Sequence, residues 1–124
     1  MLCGLAAALA LCPANVEAGD VVIKSGDLRI TFVDEGNKFD VEGLFGKKKF
    51  RPVFLGSVPE ASYETANGRV RTVSSAMFMD VDYRKKKINN GVGKVVCHEF
   101  VFSRPANGDE VELCQRFYVY EGRD

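Results

Sequence analysis

The segment from Gly93 to Tyr120, GKVVCHEFVFSRPANGDEVELCQRFYVY, constrains the fold more than any other part of the chain. Two strand-like arms, Lys94 to Ser103 and Glu110 to Tyr120, flank Arg104-Pro105-Ala106-Asn107-Gly108-Asp109. Asn-Gly between alternating apolar runs is the strongest short-range signal for a β-hairpin, because both residues accept the positive φ of a tight turn. On the returning arm, Val111, Leu113, Phe117 and Val119 fall on one face, with Gln115 as the exception. Glu112, Cys114, Arg116, Tyr118 and Tyr120 fall on the other, which is the period of two of a half-buried strand.

The remaining chain repeats this grammar. Strand-like runs at Val21 to Lys24, Leu28 to Val33 and Phe39 to Leu44 are separated by Ser25-Gly26-Asp27 and Asp34-Glu35-Gly36-Asn37-Lys38. Pro52 and Pro59 bracket Val53-Phe54-Leu55, which confines any strand there to a short or edge position. Asn67-Gly68 marks a second hairpin between Ala61 to Thr65 and Arg69 to Val73, and Ala76 to Tyr83 reads as a further strand. Within it Met77, Met79, Val81 and Tyr83 share one face, and Phe78, Asp80 and Asp82 the other. No long window has helical period. The pattern predicts an all-β, mostly antiparallel sandwich, and the strand-rich stretch Tyr118 to Tyr120 so near the last residue suggests one that is incomplete at its C-terminal end.

Leu2 to Leu11 is apolar, Pro13 follows, and Val16-Glu17-Ala18 places small residues where a signal peptidase reads them. Residues 1–18 are accordingly expected to be a signal peptide, and 19–124 the domain, secreted or periplasmic and off the membrane once cleaved. No Lys or Arg precedes the apolar run, which leaves a buried N-terminal helix as the alternative. Of 17 acidic residues, cleavage removes Glu17 and leaves 16 against 17 basic ones, a balance that argues against bulk capture of nucleic acid.

Cleavage also removes Cys3 and Cys12, leaving Cys97 and Cys114 on opposite arms of the hairpin. In an oxidising compartment the two are a possible disulfide. A two-residue Asn107-Gly108 turn, however, sets Cys97 opposite Tyr118, so a bridge needs a bulge or a longer loop, and two free thiols are the alternative.

No recognisable catalytic or metal-binding constellation emerges, and no cofactor is implied. His98 is the lone histidine, on a face with Val96, Phe100 and Phe102, and reads as structural. Asp80 and Asp82 share a strand face about 7 Å apart and read as paired carboxylates on a solvated strand face, which are common, with a metal site or an acid/base pair as the alternative. Lys47-Lys48-Lys49 and Arg84-Lys85-Lys86-Lys87 read as solvated loops with the potential to bind an acidic polysaccharide or a phosphate-rich surface. Arg116, Tyr118 and Tyr120 share one face and form a candidate carbohydrate-facing strip, against the competing reading that the tyrosines pack against a second sheet or a neighbouring domain.

The segments "VVIKSGDLRITFVDEGNKFDV", "GVGKVVCHEFVF" and "VELCQRFYVYEGRD" carry a family resemblance. With the Leu28-x-Ile30-x-Phe32 strand, the Gly91, Gly93 and Lys94 segment and Tyr118-x-Tyr120-Glu121-Gly122, the chain resembles the N-terminal β-supersandwich domain of secreted carbohydrate-active enzymes. The nearest group is the α-galactosidase-like glycoside hydrolase family thirty-six. The resemblance implies a non-catalytic accessory domain whose partner is a downstream catalytic barrel, with carbohydrate as a further partner. The family's two catalytic aspartates belong to that barrel, and neither Asp80 nor Asp82 matches their motif. The alternative is a free-standing exported β-sandwich module that binds glycan or protein.

Export is directly testable. N-terminal sequencing of the exported protein is expected to begin at Gly19; a cytoplasmic product that keeps Met1 would refute the assignment.

Overall fold

The computed structural model describes residues 21–91 and 93–120. The expected signal peptide, with Cys3 and Cys12, lies outside them, as do Val92, Glu121 and Gly122. The described chain is all-β and antiparallel, as the turn-punctuated alternation predicts.

Four strands, β1 (Val22–Ser25), β2 (Leu28–Val33), β3 (Lys38–Gly43) and β4 (Arg51–Ser57), form one sheet in that order. β5 (Glu60–Glu64) and β6 (Val70–Ser74) form a hairpin of their own. β7 (Phe78–Asn90), β8 (Gly93–Pro105) and β9 (Leu113–Tyr120) form the third sheet, with β8 in the middle.

The four-stranded and three-stranded sheets face each other through aromatic side chains. Phe32 on β2 and Phe39 on β3 meet Phe100 on β8 at ring-centroid distances of 4.9 and 5.0 Å. Phe102 and Phe117 extend the cluster, and Phe100 and Phe102 are completely buried. Such tilted and edge-on pairs add to the burial of their large apolar areas. The turn before β3 contributes a buried polar latch that its turn-like sequence did not reveal. Asn37, at φ 50, donates to the carbonyls of Ser75 and Phe78 and accepts from Ser75 Oγ, tying the two sheets together at one end. All these groups are satisfied, so the latch stabilises rather than costs.

The β8–β9 register sets Cys97 opposite Tyr118, the pairing that the Asn107-Gly108 position implies. The turn itself differs from a two-residue one. Gly108 N–H donates to Pro105 O, Gly108 takes φ 80, and the ladder opens beyond Phe102 and Leu113, so the returning arm begins at Leu113 rather than Glu110. The freed segment is used elsewhere: Asp109 accepts from Tyr63 and Arg71 and so docks the β5–β6 hairpin on the loop.

Two further expectations are corrected. Arg84 to Lys87 is not a loop but the middle of β7, paired residue for residue with β8. A basic run without Gly or Pro continues a strand when its partner is long enough, and β8 is 13 residues long. At the start of β7, a single 3-10 turn at Ser75–Met77 delivers Phe78 into the core beside Phe102 and leaves Met79 exposed, although Met77, Val81 and Tyr83, expected on the face of Met79, pack against the core.

Truncating the central ring tests this account. Phe100→Ala is expected to cost about 3–5 kcal/mol, since it opens a cavity where the two sheets meet. Urea denaturation measures it; a loss below about 1 kcal/mol would place the core elsewhere.

Candidate functional site

Because β8 is flanked on both sides, its residues alternate between two buried environments. His98, Phe100 and Phe102 face the four-stranded sheet, so Val95, Cys97, Glu99 and Val101 face outward. The register arranges this outer face in rows about 7 Å apart along the strands. One row is Arg84, Glu99 and Arg116, and the next is Lys86, Cys97 and Tyr118. Ile88, Val95 and Tyr120 follow, and Asp82, Val101 and Cys114 lie at the opposite end. Arg116, Tyr118 and Tyr120 therefore share one face, together with both cysteines and with Arg84 and Lys86 of the basic run.

Glu99 organises the rows, although its sequence context gave no sign of it. Its side chain is only 6% exposed, and Arg116 Nε donates to Oε2 at 2.7 Å. Lys86 Nζ lies 3.7 Å from Oε1, and the Cys114 thiol approaches Oε2 at 3.7 Å. The hydrogen bond from Arg116 holds the Glu99 carboxyl below the usual carboxylate range, helped by the charge of Lys86, against the opposing effect of burial. A charge removed from water in this way persists only because it is paired. The result is an arginine fixed in place beside Tyr118, which is 53% exposed.

Arg116 and Tyr118 also border a groove of about 380 Å³ between β9 and the first sheet, with Ile23, Leu28 and Ile30 on its opposite wall. The groove is apolar along its floor and cationic at one rim. That combination suits a ligand with both an apolar face and hydrogen-bonding edges, as a sugar ring has.

The other candidates resolve differently. Both cysteines are free: Cys97 lies across from Tyr118 and Cys114 across from Val101, so the register does not bring the thiols face to face. Burial pushes the Cys114 thiol above its ordinary range, partly offset by Arg116. His98 lies on the inner face, where Nδ1 and the Tyr83 hydroxyl share a 2.7 Å hydrogen bond. Asp80 and Asp82 do project from one face, but Arg104 grips Asp80 through two guanidinium nitrogens and lowers its pKa. Among the described residues, no group of three or more His, Cys, Asp or Glu is placed to hold a metal ion. Lys47 to Lys49 lie in the exposed turn between β3 and β4.

Comparison with known protein families, characterised proteins and solved structures gives no match to this chain.

Acid should expose two buried titratable groups, His98 and Glu99, in separate pH windows. His98 has a lowered pKa, first through burial and then through Lys85, so the unfolded chain binds its proton more readily. Its contribution to stability is complete above the ordinary histidine pKa of about 6.5 and is lost as pH falls below it. Glu99 is also lowered, so its contribution is complete above the ordinary glutamate pKa of about 4.3 and is lost as pH falls further. Unfolding midpoints between pH 7.5 and 3.5 are expected to fall in both windows. His98→Gln should flatten the upper slope alone, and Glu99→Gln the lower; an unchanged profile in either variant would refute its assignment.

Proposed function

We propose that this chain is a non-catalytic β-sandwich module that contacts carbohydrate along β9, as the accessory domain of an exported glycoside hydrolase resembling α-galactosidases. The observation that carries this reading is the Glu99-anchored Arg116 beside exposed Tyr118, on the rim of the β9 groove. Pre-positioning matters because a polar side chain already ordered loses less freedom when a ligand binds. The family resemblance supplies the enzyme context, and the exposed apolar side chains of the edge strand β4 supply apolar surface suited to packing on a further domain. Val53, Phe54 and Leu55 are 43%, 64% and 64% exposed on this edge strand.

The alternative is a free-standing exported module that binds glycan or protein. It draws support from the way the face is assembled: Arg116, Glu99 and Tyr118 come from β8 and β9 alone. Either way the face binds rather than reacts, because Asp80 and Asp82 lie on an open strand surface with one of them already bound to Arg104. Glycoside hydrolysis by two carboxyl groups places them on either side of a scissile bond.

Titration of soluble oligosaccharides into the full chain tests the reading. Tyr118→Ala is expected to weaken binding at least tenfold, about 1.4 kcal/mol, with an unchanged thermal midpoint. Undiminished affinity would exclude this face. Hydrolysis of aryl glycosides by the chain, abolished by Asp80→Asn or Asp82→Asn, would instead make those carboxylates an active site.

A further inference from the structure

The basic run that reads as a loop is a strand, and this changes what the face can recognise. On β7, strand alternation sends Arg84 and Lys86 outward, toward the side that carries Arg116 and Tyr118. Lys85 and Lys87 take the opposite side. Arg84 and Arg116 flank Glu99 from the two neighbouring strands, about 10 Å apart across the sheet. Glu99 is one carboxylate shared by Arg116 and Lys86, while Arg84 has no ion-pair partner among the described residues. The row is therefore short of negative charge.

Apart from Glu99, the acids of this face lie at one end. Asp82 pairs with Val101 in the row beyond Glu99, and Asp80, held by Arg104, lies further out. In the other direction there are no acids along the described rows. Arg84, Lys86 and Arg116 thus form a short cationic cluster around Glu99, with Tyr118 in the neighbouring row.

The geometry points to an acidic glycan as the ligand of this face: a saccharide chain bearing carboxylate or sulfate groups, lying along β9 with its charges toward Arg84, Lys86 and Arg116. This rests on the carbohydrate-binding reading above and sharpens it to a substrate class. Tyr118 supplies the apolar surface that a sugar ring needs, while the unneutralised cations supply the selection for charge. The guanidinium groups suit planar carboxylates and sulfates through paired N–H donors. The near-neutral charge of the whole chain argues against a general polyanion binder.

The test is calorimetric titration of the full chain with three oligosaccharide probes of equal length: uncharged dextran oligomers, oligogalacturonate and sulfated dextran oligomers. One of the acidic probes is expected to bind at least tenfold tighter than the uncharged one, with affinity falling as salt rises, and which one does so distinguishes carboxylate from sulfate recognition. The variant Arg84→Ser should reduce that advantage and leave affinity for the uncharged probe unchanged; circular dichroism and the thermal midpoint establish that it is folded. Equal affinity for charged and uncharged probes, lost in Tyr118→Ala, overturns the acidic assignment and leaves the carbohydrate reading standing. No binding to any probe overturns both. Equally tight binding of DNA or of anionic phospholipid vesicles overturns the acidic-glycan assignment in favour of non-selective capture of anions.

Discussion

The packing of Phe32 and Phe39 against Phe100 and Phe102 is the interaction on which the rest depends. These four rings, each at most 3% exposed, are the contact between two sheets that have no hydrogen-bonded strand in common. Backbone ladders hold each sheet internally but cannot set the distance or angle between sheets. Side-chain interdigitation does that, and aromatic rings do it with large area and few rotatable bonds. Once Phe100 and Phe102 are committed inward, period-two alternation commits Cys97, Glu99 and Val101 outward. The candidate site is the reverse side of the core strand.

That coupling explains an unusual feature of β8. A strand with one face in the core commonly has a solvated opposite face, yet Glu99 is almost completely buried there. Long side chains from the neighbouring strands lean over it, and their charged ends replace water as its partners. The cost of removing a carboxylate from water is offset locally, and Arg116 gains a fixed position. A site built on a central strand is more rigid than one built on loops, since its neighbours restrain it on both sides.

The two ends of the sandwich contrast in how they are closed. Near the Asn107-Gly108 loop, Asp109 bonds to Tyr63 and Arg71, and the Asn37–Ser75 latch ties the first sheet to the entry of the third. At the opposite end, β7 and β8 stay paired through Asn90 and Gly93, two residues past Val95, the last β8 residue with a β9 partner among the described residues. The edge strand β4 carries its apolar side chains in the open, and Gly56 N–H spends its hydrogen bond on the Asp40 carboxylate of the neighbouring strand.

The sequence by itself determined the strand-rich class, the position of the main hairpin and the pairing of Cys97 with Tyr118, because alternation and Asn-Gly turns are local signals that register obeys. It also placed Arg116, Tyr118 and Tyr120 on one face, since neighbours two apart on a strand share a side whatever the fold. Tertiary structure alone decided that Arg84 to Lys87 is strand, because four consecutive cations look like a loop until a long partner strand is present to pair with them. It decided the role of Glu99 as well: a lone glutamate among apolar residues reads as an exposed side chain. Its burial arises from Lys86 and Arg116, which are 13 and 17 positions away and are brought beside it only by pairing on both sides of β8.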